Sequence, residues 1–206
     1  MIQSDIFDSI NMNIKKITNS ILLFVAKRLA EIFGILVLIS GILLLISLIS
    51  YSPEDPNFIF PENTDIKNIL GFRGSYISDL FFQSIGLISY LFSITLIFTG
   101  LNITLSKDLF LIIESIFFSI LYLVLGSSFF NHFYDSAFAL FINGNGGFVG
   151  GYVNESLLNK IITLNVNISF YFLIILTIVF FLLSINFNLK KFLNFLKKTG
   201  SLFSKQ

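Results

Sequence analysis

The chain has no cysteine and a single histidine, His132, among its 206 residues. Disulfides, thiolate metal sites and cysteine nucleophiles are therefore excluded, and so is a multi-histidine metal centre. Tryptophan is absent and there are only three prolines. Charge is scarce as well. Asp, Glu, Lys and Arg make up 12% of the residues, about half of the ~25% carried by a soluble domain. So few charges cannot coat a globule of this size with a solvated surface. No cofactor, metal or catalytic residue is expected. The net charge of +1 gives no electrostatic case for nucleic acid, and direct nucleic-acid binding by this segment is not expected.

What fills the sequence is apolar. Hydrophobic residues make up 55%, phenylalanine alone accounts for 27 positions, and mean hydropathy is +0.87. This describes an all-α integral membrane protein whose first partner is the lipid bilayer. A crossing helix needs roughly 20 apolar residues. Four charge-poor stretches are long enough, at about 32–51, 80–103, 109–130 and 167–187. They predict a four-transmembrane-helix bundle over residues 30–187, with loops at 52–79 and 131–166 on one face. Residues 188–206 form a basic tail on the other. The first span begins too far into the chain, and is too long, for a cleaved signal peptide.

Orientation follows from the cations. With both termini on one side, that side holds ten of the thirteen Lys and Arg residues and a formal charge of +5. The opposite side holds Lys67, Arg73 and Lys160 against seven acids, a formal charge of −4. The bias predicts cytoplasmic termini and outward-facing loops. Before the first span, Ile6, Ile10, Ile14, Ile17, Ile21 and Phe24 recur every three or four residues, beside Lys15, Lys16, Lys27 and Arg28. Residues 1–29 read equally as an amphipathic helix on the inner membrane surface or as an extension of the first membrane helix. The tail repeats the theme, with Leu189, Phe192, Leu193 and Leu196 among four lysines.

Small residues recur at intervals of seven: Gly34 and Gly41; Gly86, Ser93 and Gly100; Ser119 and Gly126; Thr177 and Ser184. Such stripes predict close helix packing in a left-handed bundle, within a chain or between copies of it.

Few residues invite chemistry. The segment containing Gly144, Gly146, Gly147, Gly150 and Gly151 lacks a phosphate-loop lysine, and Val149 breaks the dinucleotide spacing. Backbone freedom or close packing is the expected role, with a re-entrant path as an alternative where protein shields the backbone. His132 stands three residues before Asp135, a spacing expected to be structural rather than catalytic. Glu114 is the single acid inside a predicted span. It is the candidate for ion or proton coupling, or else it reaches the interface or pairs with Lys107 or Lys27.

Three motifs carry a resemblance. The first span ends in Ser50, Tyr51, Pro53, Asp55 and Pro56. Asn68, Gly71, Gly74, Ser78, Asp79, Leu80 and Phe81 follow, and Gly146, Gly147 and Gly150 precede the last span. Their order over about residues 25–190 resembles the N-terminal four-helix membrane region of the FtsK/SpoIIIE family of septal DNA translocases. The resemblance implies an inner-membrane anchor at the division septum, contacts with other divisome proteins, and self-association. It implies no ATPase here, because the chain has no P-loop; the chain is then a fragment, the partner of a separate motor, or a standalone anchor. The rival expectation is a small transporter or channel subunit.

The absence of cysteine makes topology directly measurable. Glu54→Cys should react with a membrane-impermeant maleimide in intact cells, and Lys197→Cys only after lysis. The opposite pattern would invert the orientation.

Overall fold

A computed structural model describes residues 2–56, 65–134 and 143–187, without the side chains of 2–14, 157 and 158. Among the described residues there are seven α-helices and no strand. The helices are α1 (Ile2–Ile49), α2 (Gly71–Ile85), α3 (Ser89–Ser106), α4 (Phe110–Phe133), α5 (Gly147–Asn154), α6 (Leu157–Leu164) and α7 (Val166–Ser184). Four helical stretches are long and apolar enough to cross a membrane: within α1, α2 through α3, α4 and α7. The expected all-α membrane bundle with four spans is therefore present.

The backbone of α1 runs unbroken for 48 residues. At 1.5 Å per residue it is about 72 Å long, more than twice a ~30 Å hydrocarbon core. Residues 2–29 are thus one continuous helix with the first span. Side chains 15–29 are all exposed, and Ala30 is the first buried one. The tail motif at 188–206 lies outside the described residues.

The second span departs from the expected uniform helix at 80–103. It starts at Gly71 and runs to Ser106, broken at Gly86 by a single 3-10 turn, Gly86–Ile88. Gly86 has φ +67°, a left-handed conformation no helix interior adopts. Charge-free sequence marks where lipid begins, not where a helix begins, so α2 starts nine residues earlier. The same limit explains α5 and α6, which lie inside the segment expected to be loop at 131–166.

Neighbouring spans run antiparallel. Among the described residues, α1 packs on α3 and α2 and on neither α4 nor α7, while α4 packs on α3, α5 and α7. The small-residue stripes lie at these seams. A Cβ on Gly34 would stand 2.5 Å from Thr104 Oγ1, and one on Gly41 2.8 Å from the backbone nitrogen of Ile97. Gly100 meets the backbone of Leu38 in the same contact. Gly126 sits against Ile88 and Thr177, and Ser119 and Ser184 are buried. Gly86 is the exception: it serves the kink rather than the α3 stripe.

Hydroxyls cross-link the interior where apolar packing alone would leave register loose. Thr95 Oγ1 lies 2.9 Å from the hydroxyl of fully buried Tyr122 and 3.2 Å from Ser184 Oγ. Thr99 and Ser115 pair at 2.6 Å, and Asn102 Nδ2 donates to the Ile185 carbonyl at 3.0 Å. These bonds join α3, α4 and the end of α7. Phe129, Phe133 and Phe170 close the α4–α7 seam nearer the loops.

The seam between α1 and α3 tolerates no added volume. Gly100→Val should cost about 2 kcal/mol by overpacking, read as a lower melting temperature in detergent. Gly151→Ala, where nothing lies within 4 Å of a new Cβ, should be neutral or stabilise by up to ~1 kcal/mol.

Candidate functional site

The end of the bundle that carries the connections 50–70 and 131–165 gathers the motif residues. Asp55 is buried, 2% exposed, and its two carboxylate oxygens accept the backbone N–H groups of Lys67 and Asn68, each at 2.8 Å. Asn68 is buried beside it. Its Nδ2 donates to the Ser47 carbonyl on α1 at 2.9 Å, and its Oδ1 accepts the N–H of Leu70 at 3.1 Å, one residue before α2. Ser47 Oγ in turn donates to the Gly74 carbonyl at 2.6 Å, and Ser75 Oγ to the Pro56 carbonyl at 2.6 Å. Gly74 must be glycine on contact grounds, because a Cβ there would run into the Asn68 side chain and Leu70. Ser50 Oγ donates to the Ile46 carbonyl and accepts from the Ile69 N–H at 3.2 Å. Thus α1 and α2 are sewn together by their own motif residues.

A second pair lies beside this knot. Asp79, 3% exposed, accepts the Tyr51 hydroxyl at 3.2 Å and Gln83 Nε2 at 3.4 Å. Burial, and then the Asp79 carboxylate, push the Tyr51 phenol well above its ordinary range. It stays protonated and keeps donating. Tyr51 and Tyr90 both pack edge-on against Phe82, and Tyr90 donates to the Leu48 carbonyl at 3.1 Å. On the surface, Lys67 pairs with Glu54, which holds the Glu54 carboxyl below its usual value.

The glycine segment threads into the kink. The Asn145 carbonyl accepts the Leu87 N–H at 2.9 Å, on the spot a Gly86 Cβ would need. Asn145 Nδ2 donates to the Tyr134 carbonyl, Ser127 Oγ to the Ile85 carbonyl at 2.9 Å, and Asn143 Nδ2 to the Gln83 carbonyl at 3.1 Å. Gly147, φ +62°, lies so close that a Cβ would be 2.5 Å from the Gly86 nitrogen. Gly146 and Gly150 rest on Ser127 and Asn131 of α4. The expected close-packing role of the glycines is what this geometry supplies. The irregular backbone at 143–147 is sealed against α2 and α4.

The motif residues thus fall into two adjoining clusters that share α2. Pro53 is exposed at the exit from α1. Gly71, with φ +65° and open space around it, provides the turn into α2. Glu114 stands apart at the other end of the bundle, exposed on α4. The expected partner Lys107 instead lies 3.8 Å from Glu31, which also bonds Arg28 at 2.6 Å. The loop between α3 and α4 carries Lys107 toward α1 rather than along α4. His132 packs edge-on against Phe133, and Asp135 lies outside the described residues. No group of three His, Cys, Asp or Glu residues that could hold a metal occurs among the described residues. Sequence reasoning missed Ser47, Ser75, Ser127 and Asn145. Serines are common here, and only their partners across the bundle single these out.

An all-α membrane domain of four spans, with its polar motifs knotted at one end, is the class this fold and site define. The model of the "4TM region of DNA translocase FtsK/SpoIIIE" matches residues 26–198, and the chain belongs to that family. Among curated proteins, a DNA translocase FtsK of Azospirillum brasilense is 31% identical over 87 residues, covering 41% of this chain and 14% of that relative. The chain therefore matches a small part of the length of this relative. No solved structure matches.

The knot ranks its own substitutions. Asp55→Asn places an amide N–H₂ against a backbone donor and should cost about 2 kcal/mol, whereas Tyr51→Phe should cost about 1. Denaturation of the purified protein followed by circular dichroism measures both. A reversed order would show that Asp55 does not close the loop.

Proposed function

We propose that this chain is the inner-membrane anchor of a DNA translocase at the bacterial division septum, tying chromosome segregation to division through contacts with other divisome proteins. The observation that carries the reading is the motif knot. Family-motif residues spend their polar groups on holding a loop end rigid, and they form no path of ionisable groups through the bilayer. That is the economy of a positioning device. The excess of Lys and Arg at the opposite end supports cytoplasmic termini, so the knot would face outward and a motor would sit on the inner side. Membership in a family described as part of a DNA translocase supports the same placement.

Partner contact belongs on what the knot presents. Ile69, 74% exposed, lies next to the turn into α2, and on α2 the rings of Phe72 and Tyr76 meet at a tilt with centroids 4.4 Å apart. Exposed apolar side chains such as Ile69 and Phe72 are where a protein partner gains most from burial. A transport role instead makes Glu114 the essential residue.

A fluorescent fusion should gather at midcell in dividing cells. Ile69→Asp should disperse it around the membrane without lowering the melting temperature, and Glu114→Gln should leave it at midcell. Uniform fluorescence of the unaltered fusion would overturn the septal reading.

A further inference from the structure

At the end of the bundle opposite the knot, α1 and α4 stand apart and leave a groove. Its walls are Leu29, Ile32, Phe33 and Leu36 of α1 with Leu109 and Ile112 at the start of α4, around a cavity of about 400 Å³. Every lining side chain is apolar. Apart from Leu109, the groove is lined from stretches of α1 and α4 that are long and apolar enough to cross a membrane. No packing between α1 and α4 covers it among the described residues.

The rim of this groove is basic. Arg28 directly precedes Leu29, and Lys107 comes two residues before Leu109. Both reach one acid: Arg28 Nη1 bonds Glu31 at 2.6 Å and Lys107 Nζ lies 3.8 Å from the same oxygen. Two cations thus share one carboxylate. Of the other acids at this end, Asp108 accepts the Phe110 N–H at 2.9 Å, and Glu114 is exposed on α4 two residues past Ile112. Lys27 adds a third cation next to Arg28. The Arg28 and Lys107 side chains are 54% and 34% exposed, so both can be reached by a ligand. A guanidinium carries five N–H donors, more than Glu31 uses, and its fork matches phosphate oxygens.

We propose that this groove holds one anionic phospholipid, with an acyl chain along the apolar walls and the phosphate on Arg28 and Lys107. The walls by themselves would accept the chain of any lipid. Arg28 and Lys107 share the single charge of Glu31, and that local excess of one positive charge selects an anionic headgroup over a zwitterionic one. Each uncompensated basic residue near an anionic lipid favours it by about fivefold, and with Glu31 offsetting one of the two cations a preference of about fivefold remains. The site rests on the membrane-spanning fold and is independent of the septal reading.

Native mass spectrometry of the full chain in detergent tests this, with phosphatidylglycerol and phosphatidylcholine of identical acyl chains added at equal concentration. The unaltered protein should retain phosphatidylglycerol about fivefold over phosphatidylcholine. The double variant Arg28→Gln, Lys107→Gln should bring the ratio close to one, and Lys160→Gln, on α6, should leave it unchanged. Lys107→Arg should keep the preference, which separates lost charge from lost folding. Ile32→Trp should lower retention of both lipids by filling the groove. Equal retention of the two lipids by the unaltered protein, or an unchanged ratio in the double variant, would overturn the proposal. So would a second copy of the chain that excludes lipid, or displacement of phosphatidylglycerol by excess inorganic phosphate.

Discussion

Asp55 receives two backbone N–H groups from the far end of its connection, and the loop end of the molecule depends on that closure. A buried carboxylate is costly unless its lone pairs are used. Here both oxygens are used, each by a main-chain donor from the far end of the connection. The closure sets Asn68 against α1. Asn68 then fixes the first turn of α2, and Ser47 and Gly74 complete the seam. One acid therefore determines how the second span leaves the loop and where it enters the membrane.

The kink at Gly86 solves a related problem. A break in a helix frees backbone groups, and in lipid they must find partners within the protein. The Ile85 carbonyl is met by Ser127 and the Leu87 N–H by the Asn145 carbonyl. The glycine segment is thus a plug shaped to the break. Gly146, Gly147 and Gly150 are required because a Cβ on any of them would meet a neighbouring backbone at 2.5 Å or less. Farther into the bundle, Thr95, Tyr122 and Ser184 serve apolar helices that have no hydrophobic drive to prefer one partner over another. Hydroxyl pairs supply register there, as glycine contacts do between α1 and α3.

The two ends of the bundle consequently differ in kind. The loop end is acidic and cross-linked by hydrogen bonds between its motif residues. The opposite end carries exposed apolar side chains, a groove, and two cations, Arg28 and Lys107, that share one carboxylate. The first is built to hold a shape, and the second is built to meet lipid. An anchor needs both, since it must present a fixed surface on one side and sit at a fixed depth on the other.

Much of this was legible in the residues. Charge scarcity determined the membrane class, because no other environment accepts such a surface, and long charge-free runs located the four spans. The heptad spacing of Gly34 and Gly41 marked a real seam. The motif residues from Ser50 to Asp79, and Gly146, Gly147 and Gly150, marked the regions that matter. Helix starts were not legible, because a charge gap reports lipid contact and α2 begins outside it. Nor was the role of Gly86, since its positive φ exists only with the Asn145 carbonyl beside it. The sequence by itself determined what the chain is immersed in and which residues are special, because those depend on composition and local order. Only the tertiary structure decided that Asp55 serves Asn68, that Lys107 turns to Glu31 rather than Glu114, and that Ser47 and Asn145 matter. Those are contacts between residues distant in the chain, and their chemistry appears only when the helices are packed.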